Sequence, residues 1–191
     1  MIGFFRYLAS FLVFTSWYGV QILGSALFGV KQRSGGVYDR CSRGWARGML
    51  WGTGMRTRVM GRERLDPSVP VVYVSNHASF ADIWAIITEF PGTVRFVYKK
   101  QMDWIPIFGL CLRAMKHIPI DRKKKTQAFA AYDDAAERIR QGTSAVVFVE
   151  GTRSLDGRLL PFKQGSLVLP ISAPVPVVPI FCDNTFELMP S

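Results

Sequence analysis

The chain has two histidines, and one of them has the setting of a general base. His77 lies in the run Ser75-Asn76-His77-Ala78-Ser79-Phe80-Ala81-Asp82, directly after the apolar run VPVVYVS. Loops that follow strands carry the sites of many α/β proteins. If the residues between His77 and Asp82 turn tightly, the carboxylate reaches Nδ1, fixes the tautomer and leaves Nε2 free to take a proton. Taken alone, the spacing also suits a structural histidine at a strand end. Nothing completes a triad: there is no G-x-S-x-G elbow, no cysteine in a nucleophile context, and Ser79 sits inside the turn. A His–Asp pair without a protein nucleophile implies a substrate that brings its own hydroxyl. His117, in the apolar run HIPI, reads as structural. The two histidines share no ligand spacing, so no metal site is expected.

A second cluster, Phe148-Val149-Glu150-Gly151-Thr152-Arg153-Ser154, follows the strongest strand signal. Gly151 lets the backbone turn or approach a ligand closely. Arg153 offers a planar fork for phosphate oxygens, and Thr152 and the backbone amides add donors. The same residues also suit a salt-bridged turn in which Glu150 pairs with Arg153. Lys99 and Lys100 end another strand and can reach the same sheet edge. The run Arg122–Lys125 reads as a solvated or membrane-facing patch.

The elements that must position these residues alternate. Strands are expected at Val69–Ser75, Val94–Lys99, His117–Ile120, Ala145–Val149 and Val175–Phe181. Helices are expected at Asp82–Thr88, at Pro106–Ala114 with proline opening the first turn, at Thr126–Arg140 and at Gly165–Ile171. In Thr126–Arg140, Phe129, Tyr132, Ala136 and Ile139 form an apolar stripe, and Gly142 is placed to leave the helix in a left-handed turn. The alternation predicts an α/β fold: a mixed, mainly parallel sheet flanked by helices. There is no repeat and no internal linker. The boundary falls near residues 60–68, giving a helical element over 1–60 and a catalytic domain over 61–191.

Before that boundary, Tyr7–Val30 holds no formal charge. As a helix this segment is about 36 Å long, against a hydrocarbon core of roughly 30 Å. The apolar stretch is long for a signal peptide and lacks a clean small-x-small cleavage site. A buried helix of this length would take an implausible share of so small a domain. Two membrane geometries follow. A spanning helix would leave the rest of the chain on the cytoplasmic side, because Lys31, Arg33, Arg40, Arg43 and Arg47 come after it. A helix set in one leaflet would be pinned by the same side chains to anionic headgroups. The single-leaflet form is favoured, since Trp17 and Tyr18 are central and Gln21 and scattered hydroxyls interrupt the apolar run. The stretch Gly44–Thr57 alternates Trp45, Met49 and Trp51 with arginines. Its glycines weaken it as an isolated helix, so it is expected to lie at headgroup depth.

Composition narrows the partners. The chain of 191 residues carries net charge +10, which favours anionic ligands. Residues 1–68 hold ten basic and three acidic side chains, and residues 95–125 hold nine and two. Nucleic acid is not expected, because no RNP, KH or helix-turn-helix pattern accompanies the charge. Cys41, Cys111 and Cys182 are too far apart in sequence for a disulfide scaffold or a cysteine metal site.

Four ordered blocks resemble the PlsC-type glycerolipid acyltransferases, the 1-acylglycerol-3-phosphate (lysophosphatidic acid) acyltransferase family. They are NHASFAD; the run from Lys100 to Arg122, with Pro106, Gly109 and Asp121 in place; VEGTRS, where many relatives have proline at Val149; and VPVVPI over Val175–Ile180. The resemblance covers roughly residues 69–180. It implies His77 as base and Asp82 as its orienting partner. It further implies substrate-phosphate binding by Lys100, Gly151, Thr152 and Arg153, with Glu150 stabilising the loop. The implied reaction moves an acyl group to the sn-2 hydroxyl of 1-acyl-glycerol-3-phosphate, giving phosphatidic acid. Acyl-CoA or acyl-acyl carrier protein is the implied co-substrate, with no bound cofactor and no metal. Other acceptors are glycerol-3-phosphate or another lysolipid, and the alternative of another class is a catalytically silent membrane-binding protein. The family's setting implies a bacterial inner membrane, a lysophospholipid acceptor and a catalytic domain on the cytoplasmic side. Relatives continue beyond the fourth block, so the chain is expected to be a short member or C-terminally short.

Overall fold

The structure is a computed structural model that describes residues 2–121 and 125–190. Helices α1 (Ile2–Leu27) and α2 (Val37–Thr53) precede β1 (Val72–Ser75), α3 (Ala81–Glu89), β2 (Val94–Lys99), α4 (Phe108–Ala114), β3 (Ile118–Ile120), α5 (Lys125–Arg140), β4 (Ser144–Phe148), α6 (Gln164–Ser172), β5 (Val177–Ile180) and α7 (Thr185–Leu188). The strands form one sheet in the order β3-β2-β4-β1-β5. All four ladders are parallel. The register pairs Ser75 with Phe148, so β1 and β4 end side by side. The loops that carry His77 and Glu150 therefore leave the sheet together, although 73 residues separate them in sequence.

Alternation along the strands divides the core between the two faces of the sheet. Tyr73 and Phe96 point to a cluster shared with Trp84 and Ile86 of α3 and with Ala46, Met49 and Leu50 of α2. Val72 and Val147 point to the other, filled by Tyr132, Ala136 and Ile139 of α5 and Leu169 of α6. The side chains of the basic run Arg122–Lys125 and of Phe129 lie outside the described residues. Gly142 closes α5 with φ +100°, as its position suggests.

The glycines of α2 build a seam rather than weaken a helix. A Cβ on Gly44 would enter the ring of Tyr18, one on Gly48 the ring of Phe14, and one on Gly52 the hydroxymethyl of Ser10. Both rows repeat every four residues and run antiparallel, so each missing side chain admits a partner from α1. Small residues at this spacing let helices approach closely. Arg43, one of the basic residues expected to meet headgroups, donates to the carbonyls of Phe90 (3.0 Å) and Gly92 (2.6 Å), tying α2 to the turn before β2. A buried ion pair reinforces this junction. Asp39 meets Arg95 at 3.2 Å and also accepts from Thr93 and the Gly35 amide. Burial favours the neutral form of Arg95 and lowers its pKa, while Asp39 opposes that shift.

The helix expected to open at Pro106 begins two residues later. A 3₁₀ turn covers Lys100–Trp104, and Ile107 then adopts φ 62° and ψ −55° while the Phe108 amide bonds the Pro106 carbonyl at 2.6 Å. This is the geometry of a γ-turn, which is strained for a β-branched residue. The tight corner takes the place of a first helical turn.

Candidate active site

The turn after β1 is built by one carboxylate oxygen. Asp82, fully buried in the first turn of α3, uses Oδ2 to accept the amides of Ala78 (2.8 Å) and Ser79 (2.9 Å). The same oxygen lies 2.8 Å from Nδ1 of His77. The three contacts wrap residues 77–82 around the carboxylate and fix the imidazole. Asp82 Oδ1 is buried and has no hydrogen-bond partner among the described residues. The carboxylate charge is thus met by amide dipoles and by the ring. The other side of the ring stacks on Phe148, with centroids 3.8 Å apart and planes 12° apart. Nothing in the run NHASFAD marks this ring partner; only the β1–β4 register brings it there.

Glu150 does not pair with Arg153. Its Oε1 accepts the His77 amide at 2.7 Å and its Oε2 accepts the Leu160 amide at 2.8 Å, with the side chain buried. The Ser154 amide returns to the His77 carbonyl at 2.8 Å. The loop after β4 is thereby stapled to the loop after β1. Gly151 has φ +69°, and a Cβ there would press on Lys163 at 3.2 Å. Arg153 instead places its guanidinium carbon over Phe80, 4.1 Å from the ring centroid, a cation–π contact. Asn76 bonds both the amide and the carbonyl of Cys182, and Ser79 Oγ donates to the Met189 carbonyl. Residues 182 and 189 thus brace the His77–Asp82 turn from behind. His117 is structural: its Nδ1 accepts the Phe96 amide at 2.9 Å.

A cavity of about 1070 Å³ opens on His77, Gly151, Thr152 and Arg153 and runs between α1 and α4. Its wall includes Gly19, Ile22, Trp84, Ile87, Phe108 and Leu112, so one end is charged and the rest is apolar. Lys100 stands apart. Both Lys99 and Lys100 are exposed, but only Lys99, the last residue of β2, borders the cavity, together with Lys163; Lys100 starts the 3₁₀ turn.

Residues 56–183 match the family described as Acyltransferase. A chloroplastic 1-acyl-sn-glycerol-3-phosphate acyltransferase of Brassica napus is 36% identical over 137 residues, 71% of this chain and 40% of that protein. The human 1-acyl-sn-glycerol-3-phosphate acyltransferase alpha is 37% identical over 128 residues, 66% of this chain and 45% of that protein. The chain thus spans about half the length or less of these curated relatives. The crystal structure of the 1-acyl-sn-glycerophosphate (LPA) acyltransferase PlsC from Thermotoga maritima superposes with a TM-score of 0.65 at 25% identity. That similarity covers 93% of this chain and 74% of the Thermotoga chain.

Proposed function

The chain belongs to the acyltransferase family, and from that membership and the His77–Asp82 geometry we propose that it acylates the sn-2 hydroxyl of 1-acyl-glycerol-3-phosphate from an acyl-CoA or acyl-acyl carrier protein thioester. Nε2 of His77 takes the hydroxyl proton as the oxygen attacks the thioester carbonyl carbon. Asp82 holds the ring and stabilises its cation. The tetrahedral intermediate collapses with cleavage of the carbon–sulfur bond, and the imidazolium returns its proton to the departing thiolate. The products are phosphatidic acid and the free thiol of the carrier. Arg153 holds the acceptor phosphate beside Gly151 and Thr152, which places the hydroxyl against His77. Lys99 supplies the second positive charge in place of the expected Lys100. The apolar length of the cavity takes an acyl chain; its volume is at the top of the roughly 300–1,000 Å³ usual for ligand pockets.

The observation that carries this reading is the single base. His77 is oriented by a buried carboxylate and opens on a cavity whose charged end suits a phosphomonoester and whose walls suit lipid. In the membrane, α1 belongs to one leaflet. Tyr7 packs on Trp84 of α3 (6.2 Å between centroids), and twelve residues on, Gly19 meets α4. That α1 lies along the catalytic body over this length supports the single-leaflet reading. The experiment is a donor and acceptor screen with the purified protein in vesicles, read by product mass. Phosphatidic acid from 1-acyl-glycerol-3-phosphate is the expected product. Equal activity towards monoacylglycerol contradicts a phosphate-reading pocket.

A further inference from the structure

The segment between β2 and β3 exposes apolar side chains, of which Trp104, Ile107 and Leu110 lie outside the cavity lining. Trp104 is 86% exposed, and Ile105, Ile107 and Leu110 are exposed by 46%, 43% and 47%. Four large apolar side chains thus face outward within seven residues, on a corner held by the strained γ-turn at Ile107. Contiguous exposure of this kind marks an interaction surface.

The neighbours of this corner say what covers it. Gly19 of α1 leaves room for Ile107: a Cβ there would come within 2.9 Å of Ile107 Cγ2 and 3.7 Å of Cys111 Sγ. Cys111 Sγ contacts the Gly19 carbonyl at 3.9 Å, and Gln32, just past α1, donates to the Ala114 carbonyl at 2.6 Å. Beside Gly19 on α1, Trp17 and Val20 are themselves 64% and 72% exposed. The corner therefore packs on α1 at Gly19, next in sequence to side chains that also present apolar surface outward. Between Lys99 and Lys116 there are four basic side chains and one acidic one. An exposed tryptophan, aliphatic side chains and flanking cations are what a helix terminus offers to the interface of an anionic bilayer.

We propose that the elbow formed by the 3₁₀ turn Lys100–Trp104 and α4 is a second membrane-inserting element, contributed by the catalytic body and seated in the same leaflet as α1. The proposal rests on α1 being the membrane anchor. The cavity is walled by Gly19 on one side and by Ile105 and Phe108 on the other. Insertion of both elements puts the seam between α1 and α4 in contact with acyl chains, so a lipid reaches His77 sideways from the leaflet.

The test uses the full chain in vesicles of phosphatidylethanolamine and phosphatidylglycerol, with and without lipids brominated on their chains. Tryptophan fluorescence is compared among the unmodified protein, Trp17→Phe and Trp104→Phe. Neither indole lines the cavity, and both replacements keep an aromatic ring, so folding is preserved and checked by circular dichroism. The emission lost in Trp104→Phe is expected to be quenched by brominated lipid and shielded from aqueous iodide, as is the emission lost in Trp17→Phe. If the Trp17 emission is quenched by bromine and the Trp104 emission by iodide, the elbow lies in water and the proposal falls while α1 remains the anchor. If neither is quenched by bromine, both readings fall. A Trp104 emission protected from both quenchers would show a protein partner on the elbow and overturn the proposal as well.

Discussion

Oε1 of Glu150 accepts the main-chain amide of His77 at 2.7 Å. This bond crosses from the loop after β4 to the loop after β1. It fixes the backbone from which the imidazole projects, while Asp82 fixes the ring. The second oxygen of Glu150 takes the Leu160 amide, so both oxygens act as acceptors in a buried site.

Glu150→Gln turns one acceptor into a donor that faces an amide. One buried bond is lost and a donor is left unpaired, at a cost of about 1.5–3 kcal/mol in a charge-assisted site. Turnover is expected to fall about 10- to 100-fold, since a small misplacement of a base costs up to about 100-fold. Steady-state kinetics with both substrates check this. An unchanged kcat in a folded variant contradicts the role.

Arg153→Ala is expected to lower kcat/KM for the phosphomonoester acceptor by about 10- to 100-fold, the equivalent of one or two hydrogen bonds to a charged group. The KM for the thioester donor should change less. Arg153→Lys recovers only part of the loss, because a lysine does not present a two-pronged edge to phosphate. Equal losses for donor and acceptor would place Arg153 outside the phosphate site.

Helix propensity and packing pull in opposite directions at two glycines. Gly24 of α1 has open space where a Cβ would stand, so Gly24→Ala is expected to raise stability by up to about 1 kcal/mol. Gly48→Ala drives its methyl into the Phe14 ring, and overpacking of about 1–3 kcal/mol outweighs that gain. Thermal midpoints in detergent are the measurement. Phe14→Leu combined with Gly48→Ala should recover part of the loss. A Gly48→Ala midpoint above that of the unmodified protein contradicts the seam.

His117 makes folding sensitive to acid. Burial, with Arg95 and Arg138 nearby, holds its pKa well below the ordinary 6.5. Below that value the unfolded chain binds a proton that the folded chain does not. Its contribution is therefore complete above about pH 6.5 and is lost as pH falls, at up to about 1.4 kcal/mol per pH unit. His117→Gln can still accept the Phe96 amide and does not titrate. Between about pH 7.5 and 5.5 its thermal midpoint should drop less than that of the unmodified protein. Equal drops contradict the assignment.

Local patterns in the sequence reach as far as local geometry does. The His77–Asp82 turn is legible because five residues suffice to close it, and the alternation of apolar runs is enough for an α/β sheet. Glu150 has its nearest opposite charge at Arg153, and the local pattern suggests that pair. The true partner, His77, is set by the β1–β4 register, which no short window contains. The ring contact of Phe148 with His77 is hidden for the same reason. The α1–α2 seam was open to discovery: Gly44, Gly48 and Gly52 repeat at four, and so do Ser10, Phe14 and Tyr18. Low helix propensity at these glycines masks that spacing. Lys99 and Lys100 are indistinguishable by composition, and only the 3₁₀ turn that starts at Lys100 separates them. The buried Asp39–Arg95 pair joins segments 56 residues apart and left no local signal.

The central claim is that one imidazole does the proton transfer and that no side chain carries the acyl group. Its most direct measurement is acceptor-dependent formation of phosphatidic acid by purified His77→Ala in vesicles, with intact-protein mass taken during turnover. The expected result is a rate at least about 100-fold below the unmodified protein, at an unchanged thermal midpoint and with no acyl adduct on either protein. A near-normal rate in His77→Ala, or an acylated side chain trapped in the unmodified protein, contradicts it.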